Sequence, residues 1–282
     1  MSTYRIYVDS RDRRSGSATS FEYALPYSLA IQEKSLANID VVCLTNSIQT
    51  VIEGVNDIIY MKEKDNLDFE KVRTPKIAPG YYTIETLRVA IQDALNGPTK
   101  SLPGDYVVSF SERLARFQFS HPSIRFGDMF WIYSKKDQLI PNVPAIPAII
   151  NNNGAWKLLG LESGNSVVVI TESMDPGTAP EAPNLQYATQ LFIKTDLGVT
   201  AQSVGPKGNM SISRRVVVDV PTFGLAVDRH STSWDSFQIP GNTTISSFTV
   251  QLCDYNGKVI DLNGQNWCFS ISIIREEIRF LV

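Results

Sequence analysis

Towards its C-terminal end the chain reads DYNGKVIDLNGQNWCFSISI (Asp254–Ile273), where acidic and amide side chains sit beside glycines. Such oxygens can hold calcium, and an EF-hand loop sets a strict spacing for them. Acidic or amide ligands stand at positions 1, 3 and 5, glycine at 6 and glutamate at 12. Counted from Asp254, Asn256 falls at position 3, but Lys258 stands at 5, Val259 at 6 and Gln265 at 12. A cation replaces a ligand and a β-branched residue replaces the glycine, so the stretch fails as a calcium loop. It satisfies a different requirement. Asn256-Gly257 sits between VQLCDY and KVIDL, and Asn-Gly is the pair that most readily takes positive φ at both centres of a type I′ hairpin turn. Asn263-Gly264 gives a second turn into the strand WCFSISII. Alternation along that strand places Trp267, Phe269, Ile271 and Ile273 on one face, expected to be buried, and Cys268, Ser270 and Ser272 on the other.

Other residues capable of chemistry are sparse. His121 and His230 are the only two histidines and form no His-x-His or His-Glu-x-x-His motif, so a zinc site is not indicated. No Gly-x-Ser-x-Gly elbow accompanies them, and DRHSTSWD (Asp228–Asp235) reads as a polar loop, since a triad meets in space and not along the chain. GPKGNMS (Gly205–Ser211) lacks the spacing of a phosphate loop. Cys43, Cys253 and Cys268 form no Cys-x-x-Cys pair; they read as reduced, buried thiols, with a Cys253–Cys268 bridge as the alternative. The one basic cluster is Arg11, Arg13 and Arg14, interleaved with Asp9 and Asp12. This loop, with Asp12 among its members, is a candidate for contact with a neighbouring subunit, whereas its interleaved acids argue against nucleic acid. No catalytic residue, metal ligand or cofactor-binding residue is assigned, and no cofactor is expected.

The elements that would carry these residues are mostly strands. Of 282 residues, 43% are hydrophobic and 20% charged, and the formal net charge is −3. A real core is therefore possible, and the balance is not that of a nucleic-acid coat. The N-terminal MSTYRIYVDSRDRR has no apolar core of a signal peptide, and VPAIPAII (Val143–Ile150) is too short to span a bilayer; no membrane insertion is expected. Period-2 runs recur from YRIYV and FEYALP to SFTVQLCDY and WCFSISII. One helix stands out, Thr83–Gly97, with Thr83 as N-cap and a stripe of Ile84, Leu87, Ile91 and Leu95. The pattern is mainly β, a sandwich over 1–77 and 176–282 with a central insertion or second lobe, 78–175, holding the one α-helix.

Several motifs together resemble a viral family. IYVDSRDRRSGSATSFEYALP at the N-terminus, FTVQLCDYNGKVIDLNGQNWCFSISI at the C-terminus, and PGYYTIETLRVAIQDALNG, FSERLARFQFS and KLLGLESG between them cover about half of the chain. Each is of modest specificity, but in this order they are similar to penton-type minor capsid proteins of Polinton (Maverick) elements, virophages and related double-stranded DNA viruses. The resemblance implies a jelly-roll β-sandwich and a homopentamer at an icosahedral vertex, among trimers of a major capsid protein. It implies a virion assembled inside the host cell, and it brings no catalytic residues. A second reading is a virion fibre, attachment part or carbohydrate-binding module on the same sandwich, using Trp131, Trp156 or Trp234 as a sugar platform. A third, a hydrolase, would need a pocket that brings His121 or His230 to a nucleophile.

Overall fold

A computed structural model describes residues 3–67, 69–133, 154–161, 168–170, 176–198, 204–205, 208–209, 212–229 and 236–275. His230, Trp234 and most of Pro141–Gly154 lie outside the described residues. The chain divides into two compact units, Met1–Ile48 with Ala188–Val282, and Gln49–Tyr187.

The first unit opens with β1 (Thr3–Asp9), a short 3-10 turn, β2 (Ser15–Gly16), β3 (Ser20–Ile31) and β4 (Ser35–Thr45). After the second unit it resumes with β12 (Gln190–Thr195), β13 (Val204–Gly205), β14 (Gly208–Asn209), β15 (Arg214–Val217), β16 (Leu225–Asp228), β17 (Phe237–Ile239), β18 (Thr243–Cys253) and β19 (Trp267–Arg275). One antiparallel sheet runs β1-β19-β4-β16, with β17 also on β4, and the other runs β15-β12-β18-β3-β2. β1, β4, β16 and β19 thus lie in one sheet, and β3, β12, β15 and β18 in the other. Threading these eight strands in chain order gives the interleaved order of a jelly roll. The second unit is inserted in sequence between its third and fourth strands.

Alternation places the core. Ile6 and Val8 of β1, Ile39, Val42 and Leu44 of β4 and Phe269, Ile271 and Ile273 of β19 are buried, as are Leu191, Ile193, Val250 and Leu252 of the other sheet. Trp267 joins the sheets: its ring meets Phe21 edge-on at 6.2 Å and its Nε1 donates to the Ala18 carbonyl at 2.8 Å. The expected inward face of β19 is therefore the observed one. Ser270 and Ser272, on the opposite face, are nearly covered as well. The β4–β19 register slips between Ser270 and Ile271, which pair with Val41 and Ile39 and leave Asp40 as the extra residue of a bulge. Ile39 and Val42 can both face inwards because of it.

The second unit contains β5 (Met61–Lys64), β6 (Glu70–Arg73), α1 (Ile84–Leu95), β7 (Val107–Ser111), β8 (Arg116–Ser120), β9 (Met129–Ile132), α2 (Trp156–Leu159), β10 (Val168–Ile170) and β11 (Gly177–Thr178). Its sheets are β10-β9-β5-β6 and β11-β8-β7. α1 begins where the sequence places it. Thr83 Oγ1 accepts from the Thr86 amide, and the Thr86 side chain answers the Thr83 amide, closing a capping box. Leu87, Ile91 and Leu95 are buried in the core and Ile84 only partly so.

The boundaries expected at 77/78 and 175/176 fall inside this unit. The physical reason is pairing: β5 joins β6 on one side and β9 on the other, register Met61↔Ile132 to Lys64↔Met129. Met61–Lys64 and Glu70–Arg73 are thereby part of a sheet of the inserted region. α2 is a short second helix that the sequence reading did not contain.

Candidate interaction surface

The Arg11–Arg14 loop is built from the inside outwards. Ser10 is fully buried, donates to Asn266 Oδ1 at 3.1 Å and accepts from the Trp267 amide at 3.0 Å. Arg13 Nη1 donates to the Ser10 carbonyl at 2.7 Å and its Nε to the Gly16 carbonyl at 3.2 Å. Arg13 therefore closes its own loop. Arg11 lies along Asp9, with Nε and Nη2 donating to the carboxylate and its amide to Oδ1. This hydrogen bonding holds the Asp9 carboxyl below the usual carboxylate range and pushes the Arg11 guanidinium up. Arg14 reaches Glu22 at 3.5 Å, and Asp12 is exposed. The Arg11 and Arg14 side chains remain 72% and 66% exposed. Through Asn266, the structure brings the N-terminal Asp-Ser-Arg-Asp-Arg run and the C-terminal turn segment together.

The two Asn-Gly turns differ from each other. At Asn256-Gly257 only the glycine has positive φ, +81°. Gly257 N–H donates to the Asp254 carbonyl and Asp254 N–H to the Lys258 carbonyl, so the loop is Tyr255–Gly257 with glycine in the left-handed position, not a type I′ turn. The buried Asp254 carboxylate explains the change, because its Oδ1 takes the amides of Asn256 and Lys258. Positive φ at both centres occurs instead at Asn263 (+52°) and Gly264 (+75°), closed by Gln265 N–H on the Leu262 carbonyl.

Outward-facing residues add what sequence reasoning missed. On the β1-β19-β4-β16 sheet, Tyr7, Leu225 and Val227 are exposed, and Arg5 bridges Ser272 and Asp40. A groove of about 470 Å³ runs beside Arg5, Asp9 and Asp12 and has Cys43 and Cys268 in its lining. In the second unit Leu67 and Phe126 are 83% and 84% exposed. Their loops are tied together: Asp128 accepts from the Asn66 amide at 2.8 Å and from the Arg125 amide at 3.0 Å. Single exposed apolar side chains are common on protein surfaces; here two of them stand on loops held by one carboxylate. The signal was weak in sequence, because a lone Leu or Phe in a polar stretch reads equally as core.

The remaining candidates are packing residues. His121 is buried, with the Tyr106 ring edge-on at 4.8 Å, and neither ring nitrogen meets a hydrogen-bond partner among the described residues. Burial lowers its pKa, and Lys100 adds to the shift. Trp156 is buried and stacks on Tyr60 at 6.0 Å, and Trp131 carries Lys62 over its ring. Neither ring is laid open as a sugar platform. Among the described residues no group of three or more His, Cys, Asp or Glu side chains is placed to hold a metal ion, and no helix is long and apolar enough to cross a membrane. Two buried ionic clusters were not visible in sequence. Glu63 accepts from Arg73, Tyr106 and Ser101, while Arg73 also donates to the Leu95 carbonyl at the end of α1. Arg214 Nη2 donates to Asp228 at 2.8 Å, and its Nη1 to the Ile39 carbonyl at 3.0 Å.

These features define a mainly β chain: a jelly-roll sandwich with an inserted second unit and ordered, exposed loops. No protein-family model matches the chain, and no curated protein matches it in sequence. Among solved structures it is similar to the mavirus penton protein, with a TM-score of 0.52 and 11% identity over 96% of this chain and 98% of that one. A chain in the cryo-EM structure of the Sputnik virophage gives a TM-score of 0.47 and 10% identity over 97% of each chain. The first likeness is one of fold: the chain has the architecture of a virophage penton protein along nearly its whole length.

Proposed function

We propose that the chain is a penton-type capsid subunit of a double-stranded DNA virus of the virophage and Polinton kind. Five copies form a ring at the icosahedral vertex, among trimers of a major capsid protein, in a virion assembled inside the host cell. The observation that carries this reading is the fold shared with the mavirus penton protein over 96% of the chain. In this role the chain is a building block without catalysis or cofactor. The Arg11–Arg14 loop and the Leu67 and Phe126 loops suit such work because internal hydrogen bonds already hold them. A preordered loop loses little conformational entropy when it docks. Arg11, Arg14 and Asp12 form the charged part of the subunit contact, and Arg13 acts by holding the loop. The turns at Asn256-Gly257 and Asn263-Gly264 serve backbone geometry.

Mixing the purified chain with the trimeric major capsid protein of the same virus and imaging the shells tests the reading. The expected result is density for this chain on the five-fold axes, with open vertices when it is omitted. Vertices that close without it would overturn the proposal.

A further inference from the structure

Cys43 of β4 and Cys268 of β19 are direct partners in the antiparallel register of two neighbouring strands. Opposed residues in such a pair have Cα atoms about 4.5 or about 5.5 Å apart, and both distances lie within the roughly 4.4–6.8 Å that a disulfide spans. The Asp40 bulge creates this pairing. Continuing the Ile39↔Ile271 register without it would set Cys43 opposite Trp267, and with it Cys43 meets Cys268. Both are free thiols of intermediate burial, and both line the groove beside Asp9, so small molecules can reach them. Cys253 is fully buried opposite Phe192 in the other sheet, and the Cys253–Cys268 bridge considered from the sequence is not formed.

We propose that Cys43 and Cys268 are a thiol–disulfide switch, open in a reducing compartment and closed by exchange with a glutathione-type disulfide once the chain meets an oxidising one. One thiolate attacks a sulfur of the small disulfide and expels one molecule of the small thiol, leaving a mixed disulfide. The second thiol loses its proton and attacks the protein-side sulfur, expelling the other. Two protein thiols are oxidised to one disulfide, and one small disulfide is reduced to two small thiols. The bridge ties β4, the last strand before the inserted unit, to β19, and closes a loop of about 225 residues around that whole unit. Burial pushes the Cys268 thiol up and the neighbouring Cys43 adds to the shift, so exchange should quicken as pH rises. The switch requires only the register of two strands, not a place in a capsid, and its failure would leave the assembly reading untouched.

The test uses the full reduced chain, freed of reductant and incubated with oxidised glutathione, followed by maleimide labelling and intact mass. Before oxidation two thiols should label in the native protein and a third on denaturation. Afterwards none should label natively and one on denaturation, the mass should fall by about 2 Da, and peptide mapping should join Cys43 to Cys268. Dithiothreitol should restore both thiols. In Cys268→Ser the reaction should stop at a glutathione adduct on Cys43, which shows that the partner thiol is needed for closure. Wild-type protein that keeps both reactive thiols, retains stable glutathione adducts, or links chain to chain would overturn the proposal.

Discussion

His121 shows how a single buried side chain ties stability to pH. Its imidazole lies against Tyr106 and Phe130, with Lys100, Glu63 and Asp128 as the charged groups acting on it. Burial comes first among the causes and lowers its pKa, so the folded chain binds this proton less readily than the unfolded chain. Stability is then complete above the ordinary histidine value of about 6.5 and is lost as pH falls below it. We expect the melting temperature of the wild type to drop between about pH 7 and pH 5, and His121→Phe to flatten that part of the curve. An unchanged slope in the variant would show that other groups carry the effect. At this scale the sequence reveals residue type but not direction. Arg13 looked like a member of a basic patch, yet its guanidinium turns back onto the Ser10 and Gly16 carbonyls. Asp254 looked like a ligand, yet its oxygen caps its own turn.

Between elements, the jelly roll is pinned by a charge inside it. Arg214 of β15 is fully buried and pairs with Asp228 of β16 across the two sheets, with a further bond to Ile39 of β4. Removing one partner takes its counter-charge from a group that stays buried. Arg214→Ala should therefore cost about 3–5 kcal/mol, whereas the double change Arg214→Met, Asp228→Leu should cost much less. Chemical denaturation of the variants measures both, and a double variant no more stable than Arg214→Ala would argue against the pair. The long strands were legible because β-branched and aromatic residues alternate over many positions, and α1 because its cap and its stripe agree. The short strands β6 (EKVR), β16 (LAVD) and β17 (FQI) carry too few alternations to register. The Asp40 bulge changes the facing parity of β4 midway, which no local pattern announces. Buried ion pairs such as Arg214–Asp228 join residues that only the tertiary fold brings together.

For the whole molecule, pairing decides where one unit ends. β5 and β6 follow the sandwich strands in sequence, but β5 pairs with β9 of the inserted unit and carries β6 on its other edge, and composition does not change at that point, so the sequence placed the boundary too late. The jelly-roll fold was legible from the order of motifs at the two ends, and the structure joins those ends: Ser10 and Asn266 are hydrogen-bonded. In the capsid reading, Leu67→Asp with Phe126→Asp, and Arg11→Glu with Arg14→Glu, should each weaken assembly at least about tenfold, or ~1.4 kcal/mol. Because these side chains are exposed, thermal stability should change by no more than about 0.5 kcal/mol per site. Sedimentation and melting curves on the same samples separate the two effects, and a loss of both together would assign these residues to folding instead. The capsid role is tested most sharply by the native mass and particle symmetry of the purified chain, alone and with the major capsid protein. A capsid vertex subunit should give a ring of five copies with five-fold class averages. A trimer, or a chain that stays monomeric even in the presence of the major capsid protein, would contradict it.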